Sequence, residues 1–192
     1  MPMDTKELPT SGQLSEELVR ERKRAGRGRR LRSLLAVPLI VTAVVVLLTA
    51  FLTPILRIYG SSMEPTLSDG EVVLALKTTA PERGELCCFY VGGKVLCKRV
   101  IGKAGDVIFM DEVGNVTING QPLQEPYLTA GALGACEIEF PYTVPENAYF
   151  VLGDNRETSI DSRHKEVGPV EQDQLIGKVI FRLWPFDRLG RC

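Results

Sequence analysis

The stretch "YGSSMEPTL", Tyr59 to Leu67, sets two hydroxyls side by side, Ser61 and Ser62, between Gly60 and Pro65. A serine hydroxyl becomes a nucleophile only with a base beside it. The oxyanion it generates needs donors, which a tight turn supplies as backbone N–H groups. The flanking Gly and Pro fit such a turn, although a solvated loop reads the same way. Two bases are candidates. His164 is the only histidine, and its ordinary pKa of about 6.5 needs no tuning. Lys98 lies in "KVLCKRVIG", among Val95, Leu96, Val100 and Ile101. Keeping a lysine neutral at pH 7 costs roughly 4.6 kcal/mol in water, and burial lowers its pKa by up to about 3–5 units. Lys77 and Lys94 sit nearer strand ends or turns and read as solvated. Intrinsic pKa favours His164 and apolar surroundings favour Lys98; the residues alone leave the choice open. A third polar segment, "GDNRETSIDSR" (Gly153 to Arg163), opens with turn chemistry. Asp154, Arg156, Asp161 and Arg163 are able to form a carboxylate–guanidinium network there, and Ser159 to hydrogen-bond a nearby amine.

These segments need a scaffold, and after Ile58 the pattern is that of a mainly β domain, short β-branched runs punctuated by Gly, Pro and Asn. The expected strands are 71–77, 85–90, 94–101, 106–110, 115–118, 148–152 and 178–184. Asn119-Gly120 is a strong turn signal. A two-residue turn at Gly92-Gly93 would pair Val91 with Lys94, and so place Cys88 opposite Cys97 and Cys87 opposite Lys98. The Cys88–Cys97 pair then falls at a non-hydrogen-bonded position, with Cα atoms about 4.5 Å apart, within the disulfide range of roughly 4.4–6.8 Å. Two small buried thiols remain the favoured reading.

Upstream, Ser33 to Leu56 contains no charged residue. As a helix its 24 residues would span about 36 Å, enough to cross a bilayer core of roughly 30 Å. Pro38 and Pro54 lie near its ends. The run is longer than the apolar region of a cleavable export signal and lacks a small-x-small end, so it reads as an uncleaved anchor. The block Arg20 to Arg32 holds eight basic residues against one acid, Glu21, which predicts a cytoplasmic N-terminus and an exported remainder. The expected division is a polar and basic arm at 1–32, an anchor at 33–56 and an extracytoplasmic domain at 57–192. A chain of 192 residues suits one compact domain with an appendage. A net charge of −1 gives no general argument for nucleic acid. Cys87, Cys88, Cys97, Cys136 and Cys192 show no CxxC or Cys/His spacing, so no zinc site is expected.

The anchor followed by "GSSMEPTL", then "RGELCCF", "CKRVIGKAGD" and "GDNRETSIDSR", in that order, resembles the type I signal peptidases of peptidase family S26. The likeness continues through "VGPVEQDQLIGKVIFRLWPFDRLG". The resemblance implies a mainly β, signal-peptidase/LexA-like fold behind one transmembrane helix, and a membrane-bound serine endopeptidase that removes signal peptides from exported preproteins. It implies Ser62 as nucleophile, not Ser61, and Lys98 as general base. Ser159 would orient the Lys98 amine, and Asp154, Arg156, Asp161 and Arg163 would hold the architecture. The Ser62 N–H would serve the oxyanion hole together with the Gly60 position, where Gram-negative members carry a serine. The short span from Lys98 to Gly153 matches the small Gram-positive type. Ile58, Tyr59, Met63 and Val72 are the expected substrate-lining residues. No metal or cofactor is implied. Partners are preproteins, the lipid bilayer and the secretion translocon, with no nucleic acid. A self-cleaving repressor of the related fold would carry a DNA-binding domain in place of the apolar run, and an ER-type signal peptidase would carry histidine at the Lys98 position.

Overall fold

A computed structural model of the chain describes residues 11–128 and 132–192. The first ten residues of the expected cytoplasmic arm, and the side chains of 11, 13, 14, 17, 18, 21–33 and 35, lie outside the described residues. The chain divides between Thr49 and Ala50 into a helical body and a β body.

Helix α1 runs from Ser11 to Leu52. Its described apolar side chains are largely open, Leu39 and Leu47 being 71% and 69% exposed. Described side chains are continuous only from Ala36. Among the described residues no helix is long and apolar enough to cross a membrane, so the anchor is not shown. The helix also stops short of the expected end at Leu56. Pro54 disfavours helical backbone in the residue before it, and Ile55–Arg57 forms strand β1, whose backbone groups pair with Val72–Leu74.

The β body continues with β2 (Val72–Leu76), β3 (Leu86–Val91), β4 (Lys94–Lys103), β5 (Val107–Met110), β6 (Val116–Ile118), β7 (Gln121–Pro122), β8 (Tyr142–Thr143), β9 (Ala148–Leu152), β10 (Val170–Glu171) and β11 (Leu175–Trp184). They build a seven-stranded sheet, β1-β2-β11-β3-β4-β9-β10, and a four-stranded sheet, β7-β6-β5-β8. All seven expected strands are present, 148–152 with the expected ends and the others shifted by one to three residues at one end or both. The strands not foreseen, β1, β7, β8 and β10, have two or three residues each, too few to show a period of two.

The β3–β4 hairpin has the expected register, with Val91 opposite Lys94, Cys88 opposite Cys97 and Cys87 opposite Lys98. Gly92 and Gly93 both have positive φ, 54° and 77°, as a two-residue type I′ turn requires. Asn119 and Gly120 do the same at φ 51° and 79° between β6 and β7. Cys88 and Cys97 are both free thiols.

Alternation along the strands feeds separate apolar clusters. Ile58, Met63, Leu67, Val73, Cys88 and Val179 pack in one, and Cys87, Phe89, Val100 and Val151 in another. Burying a side chain such as Phe89 is worth roughly 1.5–3 kcal/mol. Two consecutive cysteines thus serve different sides of one strand. Ile101, Ile108, Phe150 and Leu152 join the two sheets in a third cluster.

Candidate active site

Ser62 stands in the excursion between β1 and β2. Its neck is closed by Ile58 N–H to Glu71 C=O, 2.8 Å, and Gly70 N–H to Ile58 C=O, 2.9 Å. The loop is plugged into the core by Met63 and Leu67, 1% and 0% exposed. Between these anchors Ser61 stays exposed and Ser62 is half-buried. Burial therefore distinguishes the two serines, Ser62 being the one next to buried Met63.

Lys98 Nζ donates to Ser62 Oγ at 2.7 Å. Lys98 is only 2% exposed and makes no ion pair with any described residue. Burial pushes its pKa below the ordinary lysine value. Asp161, Cys97 and Asp154 oppose the shift, and the Arg163 guanidinium adds to it. A neutral amine in this place accepts the serine proton along the same 2.7 Å contact. The other candidate base is engaged elsewhere: His164 Nδ1 accepts the Asp161 N–H at 3.3 Å, and no hydrogen bond joins it to either serine.

The polar segment after β9 braces this pair from behind. Asn155 N–H donates to the Ser62 carbonyl at 3.1 Å. Gly153 N–H donates to Asp161 Oδ2 at 2.9 Å. A Cβ at Gly153 would lie 2.2 Å from Ser159 Oγ and 2.5 Å from the Ser62 carbonyl oxygen, so only glycine allows the two loops to meet. Asp161 and Arg163, both 0% exposed, pair through Nε–Oδ1 and Nη2–Oδ2, each 2.8 Å. Burial works to raise the Asp161 pKa, but Arg163 and the Gly153 N–H outweigh it and hold the carboxyl below its usual range.

The expected four-residue network separates into three pairs. Asp154 accepts two hydrogen bonds from Arg99, at 2.8 and 2.6 Å, and one from Thr66 Oγ1. Arg156 pairs with Glu125, while its Nε donates to the Gly153 carbonyl at 3.0 Å. Tyr127 lays its ring over the Arg99 guanidinium at 3.9 Å and donates its hydroxyl to Glu125 at 2.7 Å. Arg99, Thr66, Glu125 and Tyr127 were missed. The sequence did carry a signal for Arg99: a guanidinium inside an apolar strand must find a carboxylate.

Three expected contacts are not seen in this geometry. Ser159 Oγ is buried without a hydrogen-bond partner; it does not bond Lys98, whose hydrogen bond goes to Ser62. The Gly60 N–H is committed to Asp69 Oδ1 at 2.7 Å, so it is not open as a second oxyanion donor. Among the described residues the Ser62 N–H donates to no protein acceptor. Val72, paired by β2 with Arg57 and Trp184, is not among the residues that line the cleft around Ser62 and Lys98.

Ile58, Tyr59, Ser62, Met63 and Lys98 do share a small cleft of about 40 Å³. Sequence reading missed part of its walls, Leu56 and Arg57 from β1, Val95 to Cys97 from β4, and Cys88 from β3. Strand β9 pairs with β4 only over Arg99–Lys103, so the Lys94–Lys98 stretch has a strand on one side only among the described residues.

Comparison with known proteins gives this geometry a family. The signal peptidase model, peptidase S26, matches residues 31–184. The chain belongs to the S26 signal peptidases. A signal peptidase IB of Staphylococcus aureus is 38% identical over 151 residues, 67% of this chain and 76% of the relative. Signal peptidase I of Streptococcus pneumoniae is 30% identical over 191 residues, 79% of this chain and 92% of the relative. A crystal structure of a signal peptidase I from Enterococcus faecalis V583 superposes with a TM-score of 0.43 at 32% identity, covering 52% of this chain and 97% of that one. The peptidase is thus a serine endopeptidase by family, and its mainly β architecture is the one the sequence pattern called for.

Proposed function

We propose that the peptidase removes signal peptides from exported preproteins through a Ser62–Lys98 dyad, at the outer face of a membrane to which residues 33–56 anchor it. The 2.7 Å contact between a buried, unpaired lysine and one of two adjacent serines carries the reading. Neutral Lys98 takes the Ser62 proton as Oγ attacks the scissile carbonyl, and the Ser62 N–H donates to the oxyanion. Lys98 then protonates the leaving amine, and on deacylation it activates the incoming water. The three ion pairs act by holding these groups in place.

The unpaired edge of β4 and the short strand β1 both contribute to the cleft, which supports a substrate bound as an added strand. The small cleft, walled by Ile58 and Met63, fits small residues before the cut. The membrane part of the reading is supported by the uncharged run and by the open apolar side chains of α1, including Leu39 and Leu47. The basic block ahead of that run supports a cytoplasmic N-terminus, with the translocon as the neighbour that delivers substrate.

The test uses full-length protein in membrane vesicles and a secretory precursor carrying a signal peptide. Wild type should cut once, after a small-x-small sequence, while Ser62→Ala should lose at least about 10³-fold in rate. Ser61→Ala and His164→Ala should each stay within about threefold of wild type. Processing that survives Ser62→Ala would overturn the dyad.

A further inference from the structure

The wall of the cleft carries two thiols for which the peptidase mechanism has no use. Cys88 and Cys97 face each other across β3 and β4 and both line the cleft that holds Ser62 and Lys98. Counting from the Gly92-Gly93 turn, theirs is a non-hydrogen-bonded pair, in which Cα atoms stand about 4.5 Å apart. That spacing falls within the roughly 4.4–6.8 Å that a disulfide bridges. Cys88 is 1% exposed, whereas Cys97 is half-buried. The neighbouring Cys97 thiol and burial together push the Cys88 pKa well above the ordinary value. Cys87, next in the chain, belongs to the other core cluster.

We propose that Cys88 and Cys97 form a dithiol site in the cleft wall that low-molecular-weight disulfides oxidise to a Cys88–Cys97 disulfide. The exposed side starts the reaction. The Cys97 thiolate attacks one sulfur of the disulfide oxidant, forming a mixed disulfide and releasing one thiolate. Cys88 gives its proton to that released thiolate as its sulfur attacks the Cys97 sulfur, and the second thiolate leaves. Two protein thiols are oxidised, one external disulfide is reduced to two thiols, and the two protein protons end on the released thiolates. The exported position proposed above places this site where disulfides persist. A disulfide fixes the two sulfurs at about 2.05 Å, closer than two thiols pack, so the cleft wall beside Lys98 has two shapes set by redox state.

The chemistry rests on the hairpin and not on the peptidase reading, so its first readout is independent of activity. Full-length protein in detergent is incubated with oxidised glutathione, then alkylated and mapped by mass spectrometry without reductant. A peptide pair joining Cys88 to Cys97 is expected, reversed by dithiothreitol, with Cys87 alkylated only after unfolding. Full alkylation of Cys88 and Cys97 on unfolding after oxidation would overturn the proposal, and so would a bridge from either to the exposed Cys192. In Cys88→Val, a conservative change of volume, the reaction should halt as a glutathione adduct on Cys97; no adduct there would overturn the role of Cys97 as entry point. For wild type, KM for a signal-peptide substrate should differ at least about threefold between oxidised and reduced forms, a difference absent from the Cys88→Val/Cys97→Val double variant. Equal KM values with the disulfide demonstrated would refute the effect on the cleft while leaving the peptidase reading intact.

Discussion

Strand β4 carries a lysine near each end of its buried stretch, and the two have opposite fates. Lys98 is 2% exposed, bonds a serine hydroxyl and has its pKa lowered, burial being the main cause. Lys103 keeps 39% of its side chain exposed and pairs with Glu82 at 2.7 Å, and that hydrogen bond raises its pKa. Residue type, strand and chain direction are shared. The difference lies in what each amine meets: a hydroxyl in a buried site, or a carboxylate at the surface. A lysine becomes a base where the fold removes water and withholds a directly paired anion.

The contrast is broken most severely by removing the amine. Lys98→Ala should lower kcat/KM for precursor cleavage by at least about 10³-fold, with thermal unfolding close to wild type; retained cleavage would end its role as base. Next in size is Arg163→Ala, which leaves Asp161 buried and uncompensated and should cost about 3–5 kcal/mol of stability in denaturant unfolding. It should also raise the Lys98 pKa, because the guanidinium is one of the influences that lower it.

The lowered pKa has a sign in both activity and stability. Activity needs the neutral amine, so the acid limb of the kcat/KM profile should have its midpoint below the ordinary lysine value of 10.5. Between that midpoint and 10.5 the unfolded chain binds more protons than the folded one, so the contribution of Lys98 to stability rises with pH there. A midpoint at or above 10.5 would contradict the burial argument. The smallest effect belongs to Lys103→Ala, which should leave kcat/KM within about threefold and the acid limb unmoved.

Much of the scaffold was legible because its signals are local. The register of β3 and β4 follows from Gly92-Gly93, and the runs at 148–152 and 178–184 are long enough to show their type. Strand β1 was hidden inside the apolar run, since Ile55 and Leu56 look the same whether they meet lipid or a sheet edge. At the site, apolar neighbours marked Lys98 as capable of desolvation, but no local feature chose between it and His164. That choice depends on a contact spanning 36 residues. Ion pairing was less legible still. Arg99 finds Asp154 across 55 residues and Arg156 finds Glu125 across 31, distances over which charge pattern carries no register. Gly60 shows a finer limit, because its N–H is taken by Asp69, a residue that nothing in the sequence ties to it.

Gly153 has a consequence for how variants of this chain should be interpreted. The atoms a methyl group would strike there are Ser159 Oγ and the backbone oxygen of Ser62 itself. Rotating the Ser159 side chain would relieve only part of the clash, so the peptide of Ser62, the proposed nucleophile, has to move as well. An alanine at this position would inactivate by displacement, leaving every reacting group present and correctly typed. A survey that scores only the chemical identity of Ser62 and Lys98 would pass such a chain as competent.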